Sequence, residues 1–506
     1  MLPGDCAFGG TKNEVEVEDE DEAIDSEDEA PRNAVIARRT RLPWFQFSIV
    51  LFLQLAEPLT SSVIYPFVPQ LVREIGITKG DEGKVGYYVG LLESLFFVVE
   101  ALTVLHWSRL SDRIGRKPVL ILGLLGISVS MTCFGLSTTF WGLIVSRSLN
   151  GGLNGNIGVM KSLIAEMTDE TNISQAFAFM PIAWSTGGTI GPIIGGSLSH
   201  PVDHFPRLFG ESRFLKDYPY FLPCAVPAVF CLFACIVAFA LLRETAHVDH
   251  QEPWCCRPTT RSSKPDHESS YFDSPSAAAA TKKRLPLREV LTPRVVIASA
   301  NYAILAFLDI ALRVIHPLFL STPLALGGLG LPSSAIGHIL AVFGVLNGLV
   351  QFCVFPAMHG RWGSKRVFAG GIASALPAVA LFPVISACAQ AEGLSRRVWF
   401  LVWVQIVVSI AVGLSYGAIY ILVSESAPNS RSLGAVHGVS HIATGVMRAI
   451  GPAITTSLFS ASIGAQILGG WLVYYVLCAI VVLAVVAAGF LSQNSKNGAA
   501  PRRQRG

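Results

Sequence analysis

The chain has 506 residues, of which 51% are hydrophobic and only 14% charged, and its mean hydropathy is +0.51. A soluble chain of this length carries closer to a quarter charged residues, which argues against an ordinary multidomain enzyme. The formal net charge of +3 conceals segregation, because residues 14–29 (EVEVEDEDEAIDSEDE) are nearly all acidic while the chain ends in PRRQRG. Runs of this kind are expected to stay solvated and disordered, as an acidic tail over 1–43 and a basic tail over 492–506.

About forty polar residues precede the first apolar stretch, so no secretory signal peptide is read and the first span is expected to serve as its own insertion signal. A membrane span needs about 20 mostly apolar residues. Twelve such runs follow one another, at 44–71, 85–107, 118–138, 140–165, 175–199, 219–242, 295–321, 334–358, 366–388, 398–423, 434–460 and 467–491. The predicted fold class is therefore an all-α membrane protein of twelve transmembrane helices in two six-helix halves, 44–243 and 294–491. The halves are joined by a Ser-, Pro- and Ala-rich cytoplasmic linker over 244–293.

Basic residues cluster before span 1 (Arg32, Arg38, Arg39, Arg41), between spans 2 and 3 (Arg109, Arg113, Arg116, Lys117), before span 7 (Lys282, Lys283, Arg284, Arg288, Arg294) and between spans 8 and 9 (Arg361, Lys365, Arg366). The positive-inside rule then places both termini in the cytoplasm. The sequon Asn172-Ile173-Ser174 falls on the same side and is expected to go unused. The ten cysteines show no disulfide or metal spacing, and most lie in apolar runs. Cys255-Cys256 reads as an unmodified pair in the linker, or as a palmitoylation site.

The halves echo each other. Thr189-Ile190-Gly191-Pro192 in span 5 answers Ala449-Ile450-Gly451-Pro452 in span 11, Glu166 answers Glu425, and Gly115-Arg116-Lys117 answers Gly363-Ser364-Lys365. Parallel six-span repeats are a mark of carriers that rock two halves against each other. Duplication without transport would leave the same echo.

Charges are distributed unevenly among the spans. The interiors of spans 3, 6, 9 and 12 carry none, and these are expected to face lipid. Glu57 lies in span 1, Glu93 and Glu100 in span 2, Arg147 in span 4, Asp309 and Arg313 in span 7, and Arg448 in span 11, with His316, His338, His437 and His441 in spans 7, 8 and 11. An ionisable group in hydrocarbon costs at least about 2.5–3.5 kcal/mol, so each is either paired or functional. With a rise of about 1.5 Å per residue, Glu57 and Asp309 fall near the midplane. Glu93 and Glu100, seven apart, share one face of span 2; Asp309, Arg313 and His316 share one face of span 7 before a kink expected at Pro317. These residues read as a proton or substrate site, or as structural ion pairs within the bundle.

Trp107-Ser108-Arg109-Leu110-Ser111-Asp112-Arg113-Ile114-Gly115-Arg116-Lys117-Pro118 resembles the loop signature of the major facilitator superfamily. The resemblance implies a conformational latch formed by Asp112, Arg113, Gly115, Arg116 and Lys117. Arg147 with Asn150-Gly151-Gly152 resembles the span 4 motif of that superfamily, whose arginine is associated with proton coupling. Gly187-Gly188-Thr189-Ile190-Gly191-Pro192-Ile193-Ile194-Gly195-Gly196 resembles its span 5 antiporter motif, with Ala178 where a further glycine is expected. Gly187, Gly191, Pro192, Gly195 and Gly196 would form a helix-flexing segment, or simply a close-packing one. With Glu57-Pro58, Tyr65-Pro66-Phe67-Val68-Pro69 and Asn154-Gly155-Asn156-Ile157-Gly158, the resemblance is to fungal members of the drug:proton antiporter group, related to zinc-induced-facilitator-like carriers and tetracycline exporters. The Cys-rich substrate signature of the plant members is missing, so zinc transport is not implied.

The expectation is a secondary carrier of a small solute, working by alternating access and proton-coupled antiport in the plasma or vacuolar membrane. Its expected partners are lipid, protons and a small-molecule substrate, with no nucleic acid, no metal and no cofactor. An uncoupled facilitator or a non-transporting sensor of the same fold would share most of these features. The polar segments contain no phosphate-cradling glycine loop, metal spacing or nucleophile elbow that would mark an enzyme or an ATP-driven pump.

Overall fold

A computed structural model describes residues 40–169, 172–245, 291–428 and 432–491. The acidic run, Arg32, Arg38 and Arg39, Cys255-Cys256, the basic residues Lys282, Lys283, Arg284 and Arg288 before span 7, most of the linker and the basic tail lie outside the described residues. Every regular element among the described residues is helical. Among the described residues, eight helices are long and apolar enough to cross a membrane. One of them, Ser333–Glu392, is spans 8 and 9 run together, since Gly363 in its middle has φ 75° and ψ 163° and turns the chain. Gly115, between spans 2 and 3, has φ 101° and ψ 162°. The echo of Gly115 and Gly363 in the sequence is thus an echo in backbone geometry, at a positive φ that glycine adopts without steric cost.

The remaining three expected spans are 1, 4 and 5. Span 5 is the helix Ile173–Leu198, whereas spans 1 and 4 are broken. Span 1 consists of Trp44–Gln54 and Ala56–Ser62, followed by a short helix Val68–Glu74. Pro58 has no N–H to offer the carbonyl of Gln54, and the ladder slips at Leu55, whose N–H turns back to Phe52 at 3.2 Å. Span 4 consists of Phe140–Leu153 and Asn156–Met167, interrupted where Asn154 leaves helical geometry at ψ 53°. Trp107 of span 2 is wedged into that interruption: its indole Nε1 donates to the Gly152 carbonyl at 2.7 Å, and a Cβ on Gly155 would fall 2.1 Å from its ring. Both breaks therefore have a cause that can be named, and both lie beside an acidic side chain.

Spans 3, 6, 9 and 12 present large apolar side chains outward, among them Leu122, Val129, Phe233, Phe239, Val384 and Leu483, as the charge distribution predicts. The two halves meet through spans 2 and 11 and through spans 5 and 8. Tyr87 donates its N–H to Ser460 Oγ at 3.1 Å, and Ala453 its N–H to Ser94 Oγ at 2.8 Å. A Cβ on Gly196 would lie 2.9 Å from the Gly337 Cα. Ser333 Oγ donates to Gln70 Oε1 at 2.6 Å. All of these contacts lie toward the end of the bundle opposite the loop signature.

Candidate transport site

Spans 2 and 4 face each other across two polar rungs. In the first, Arg147 Nη2 donates to Glu93 Oε2 at 2.9 Å, with both side chains at most 2% exposed, and the guanidinium lies 4.5 Å over the Phe96 ring. Seven residues farther along each helix, Asn154 Nδ2 donates to Glu100 Oε1 at 3.0 Å. Asn154 also neighbours Glu57. Its amide is brought there by the break in span 4, and Glu57 by the break in span 1. The helix Ala56–Ser62 buries Glu57 to 7% exposure, whereas Glu100 is half-buried.

The span 5 glycines explain how Glu57 is held in place. Cβ atoms on Gly187, Gly191 and Gly195, one helical turn apart, would meet Pro58 at 2.7 Å, Ser62 at 2.8 Å and the Val63 carbonyl at 1.8 Å. The next face of span 5, with Pro192 and Gly196, packs on Gly337 of span 8. Span 5 is thus pressed between the Glu57 segment and the other half, a fit that side chains at these positions would prevent.

On the other half, Asp309 Oδ2 accepts from Arg313 Nε at 3.0 Å and from the Tyr416 hydroxyl at 3.0 Å. Tyr302 donates to Tyr420 at 2.9 Å. Arg448 stands among Tyr302, Tyr416 and Tyr420, and Lys161 Nζ comes within 3.5 Å of His441 Nε2 across the gap between the halves. His316, farther along the same helix as Asp309 and Arg313, is buried with its ring 5.3 Å from Phe382 of span 9. The helix Pro293–Ser321 runs unbroken through Pro317. His338 turns to its own helix, at 2.6 Å from the Ser334 carbonyl, and His437 lies 3.0 Å from Ser424 Oγ.

The loop signature closes on itself and its neighbours. Arg116 Nη1 donates to Asp112 at 2.6 Å and to Ser111 Oγ at 3.0 Å, and Nη2 donates to Glu166 at 2.8 Å. The backbone N–H groups of Arg116 and Lys117 donate to Glu244 at 2.9 and 3.0 Å. Lys117 Nζ sits 5.7 Å over Phe239, while Arg113 is exposed. These partners all belong to spans 2–6 and the residues just beyond span 6.

Asn154 and the three tyrosines are the site residues that charge patterning passed over, because neutral side chains leave no signal in an apolar run. Arg448 was visible as an interior charge, whereas Lys161, near the end of span 4, was not singled out. Among the described residues no group of three His, Cys, Asp or Glu side chains is placed to hold a metal. A groove of about 410 Å³ lined by Val99, Val145, Ser148, Leu149, Gly152 and Leu153 has no charged side chain in its lining.

The profile of the Major Facilitator Superfamily matches residues 50–452. The major facilitator superfamily multidrug transporter mfsB of Aspergillus fumigatus is 29% identical, over 91% of this chain and 85% of its own. Protein ZINC INDUCED FACILITATOR 1 of Arabidopsis thaliana is 29% identical, over 88% of this chain and 91% of its own. The crystal structure of a D-xylose-proton symporter superposes with a TM-score of 0.66, over 90% of this chain and 99% of that one, at 15% identity, a likeness of fold.

Proposed function

The chain belongs to the major facilitator superfamily, multi-pass membrane carriers of small solutes, and from that premise we propose that it is a proton-coupled antiporter. In this reading Glu57 and Glu100 form the coupling site, to which a proton or the positive part of a substrate binds in alternation. Because the two compete for the same carboxylates, one leaves as the other arrives, and flux of protons down their gradient drives the substrate the opposite way. The observation that carries the reading is the arrangement of Glu57, Asn154 and Glu100: two acids beside one amide, which donates to Glu100, at the breaks in spans 1 and 4, with no cation within 4 Å of either acid among the described residues. A buried carboxylate without a fixed counter-ion is suited to gaining and losing a proton, whereas one locked to a guanidinium is not.

Alternating access would rock residues 44–243 against 294–491. The contacts joining spans 2 with 11 and 5 with 8 at one end support a state closed there and open toward the loop signature. Asp112, Arg113, Gly115, Arg116 and Lys117 would latch the opposite state, when that end closes. Gly187, Gly191, Pro192, Gly195 and Gly196 would let span 5 move against span 1 and span 8 together. Asp309 and Arg313 would orient substrate from the second half, and Glu93 with Arg147 would keep spans 2 and 4 in register. The multidrug relative supports export of a small organic molecule from the cytoplasm, across the plasma or vacuolar membrane, with both termini cytoplasmic.

The test is a screen of small organic compounds in proteoliposomes carrying the full chain, with and without an imposed pH gradient. Accumulation that follows the gradient and collapses with an uncoupler is expected. Flux of equal size with the gradient dissipated would leave an uncoupled facilitator.

A further inference from the structure

The cleft between the halves holds charges of both signs that do not neutralise one another by contact. Glu57 and Glu100 stand on one side, with Asn154 beside them and donating to Glu100. Arg448 and Lys161 are the cations whose fields reach Glu57, yet among the described residues neither has a carboxylate within 4 Å. The other deep cations are already engaged, Arg147 with Glu93 and Arg313 with Asp309. Arg448 and Lys161 are both half-buried. A cation in a cleft of low dielectric that lacks a contacting counter-ion is left unfavourable, and a visiting anionic group relieves it.

Around Arg448 the walls are aromatic. Tyr302 lies 5.4 Å from Tyr420 and 6.3 Å from Tyr416, ring centre to ring centre. Tyr420 remains 41% exposed, so its face is available to a flat apolar body.

We propose that the substrate is a small aromatic zwitterion, whose ammonium group takes the place of the proton at Glu57 and Glu100 and whose carboxylate or phosphate pairs with Arg448 and Lys161. The inference rests on the antiport reading. A simple cation would satisfy the acids but leave Arg448 and Lys161 repelling it. A simple anion would be repelled by Glu57 and Glu100 unless both carried protons, and it would then travel with protons instead of against them. A molecule carrying both charges meets both requirements, and it also bridges the halves, since Glu57 and Glu100 belong to spans 1 and 2 and Arg448 to span 11.

The test uses three probes built on one phenyl-ethyl frame: L-phenylalanine with both charges, 2-phenylethylamine with the positive one, and 3-phenylpropionate with the negative one. Their equilibrium binding to the purified full chain in detergent is measured at pH 7 without any gradient. The amino acid is expected to bind at least about tenfold more tightly than either singly charged probe, since a charge-assisted hydrogen bond is worth that much. In Arg448→Gln that advantage over the amine should shrink to about threefold or less. Lys161→Met, on the opposite half, makes the same comparison should the arginine variant not fold. An amine or acid that matches the amino acid on the wild type overturns the proposal, as does failure of the amino acid to bind. Equal weakening of amine and amino acid in both variants overturns it too. Amino-acid preference without proton-driven flux would support the dual-charge site and sink antiport; proton-driven flux of the amine alone would do the reverse.

Discussion

Two rungs between spans 2 and 4 sit seven residues apart on each helix and have opposite surroundings. Glu93 faces Arg147 in a closed pair that is almost fully shielded from solvent. Glu100 faces the neutral Asn154, has Glu57 as a neighbour, and is half-buried. Both glutamates are the same residue on the same helical face, so position alone does not distinguish a structural acid from a working one. The partner does. A guanidinium in contact ties Glu93 into a closed pair, and removing either member strands the other in hydrocarbon. An amide fixes no charge, and in the proposed antiport it would leave Glu57 and Glu100 free to exchange a proton for a substrate.

The largest effect is expected from breaking the closed rung. Arg147→Met should cost about 3–5 kcal/mol and remove most folded protein from the membrane, while adding Glu93→Leu should restore most of the stability, because an apolar replacement of a buried pair is close to neutral. Melting temperature in detergent reads both, and a single variant as stable as wild type would show that the pair carries no structural weight. Next comes the seat of the open rung. Gly195→Ala would place its Cβ 1.8 Å from the Val63 carbonyl, a clash expected to cost about 1–3 kcal/mol and to slow turnover by displacing the Glu57 segment. Gly188→Ala, whose Cβ would meet nothing within 4 Å, is the control and should melt like wild type.

A smaller change in stability is expected at the loop signature. Asp112 is 59% exposed beside Arg116, so Asp112→Asn should melt within about 1 kcal/mol of wild type. Its turnover, and that of Arg116→Ala, should fall severalfold if the segment latches one state. Normal turnover at normal expression in both would remove the latch.

The smallest effect lies outside the membrane spans, where His200 Nε2 pairs with Glu74 at 3.1 Å. The hydrogen bond to Glu74 raises the proton affinity of His200 above its usual 6.5, against the effect of burial. Burial would raise Glu74, but hydrogen bonds from His200, Tyr220 and Gln70 outweigh it and hold the carboxyl below its usual 4.5. The histidine's contribution is complete below its unfolded value and is lost as pH rises through the folded one. That of Glu74 is complete above its unfolded value and is lost as pH falls through the folded one. The pair is therefore strongest between about 4.5 and 6.5. With both side chains partly exposed it should add less than about 1 kcal/mol. His200→Gln should flatten the decline in melting temperature above that window; an unchanged decline would assign it to other groups.

Much of the fold was legible because hydrocarbon imposes a coarse code. Runs of about 20 apolar residues mark the spans, and their uncharged members mark the lipid-facing set. Glycine was equally readable at Gly115 and Gly363, where a positive φ leaves few alternatives. The site was legible only as a set of unusual charges. Which acid meets which partner depends on rotations of helices far apart in sequence, so Glu93, Glu100 and Glu57 looked alike until Arg147 and Asn154 were placed beside them. The breaks at Leu55 and Asn154 were half-visible: Pro58 announces the first, but the second depends on Trp107 arriving from another span.

The central claim is that Glu57 carries the exchangeable proton, and Glu57→Gln tests it most directly. The neutral amide mimics the protonated acid, so the variant is compared with wild type in proteoliposomes by two measurements on one preparation: counterflow of a substrate down its own gradient, and accumulation driven by an imposed pH gradient. Counterflow that persists while pH-driven accumulation disappears is the expected result. Full pH-driven accumulation by Glu57→Gln would contradict the account.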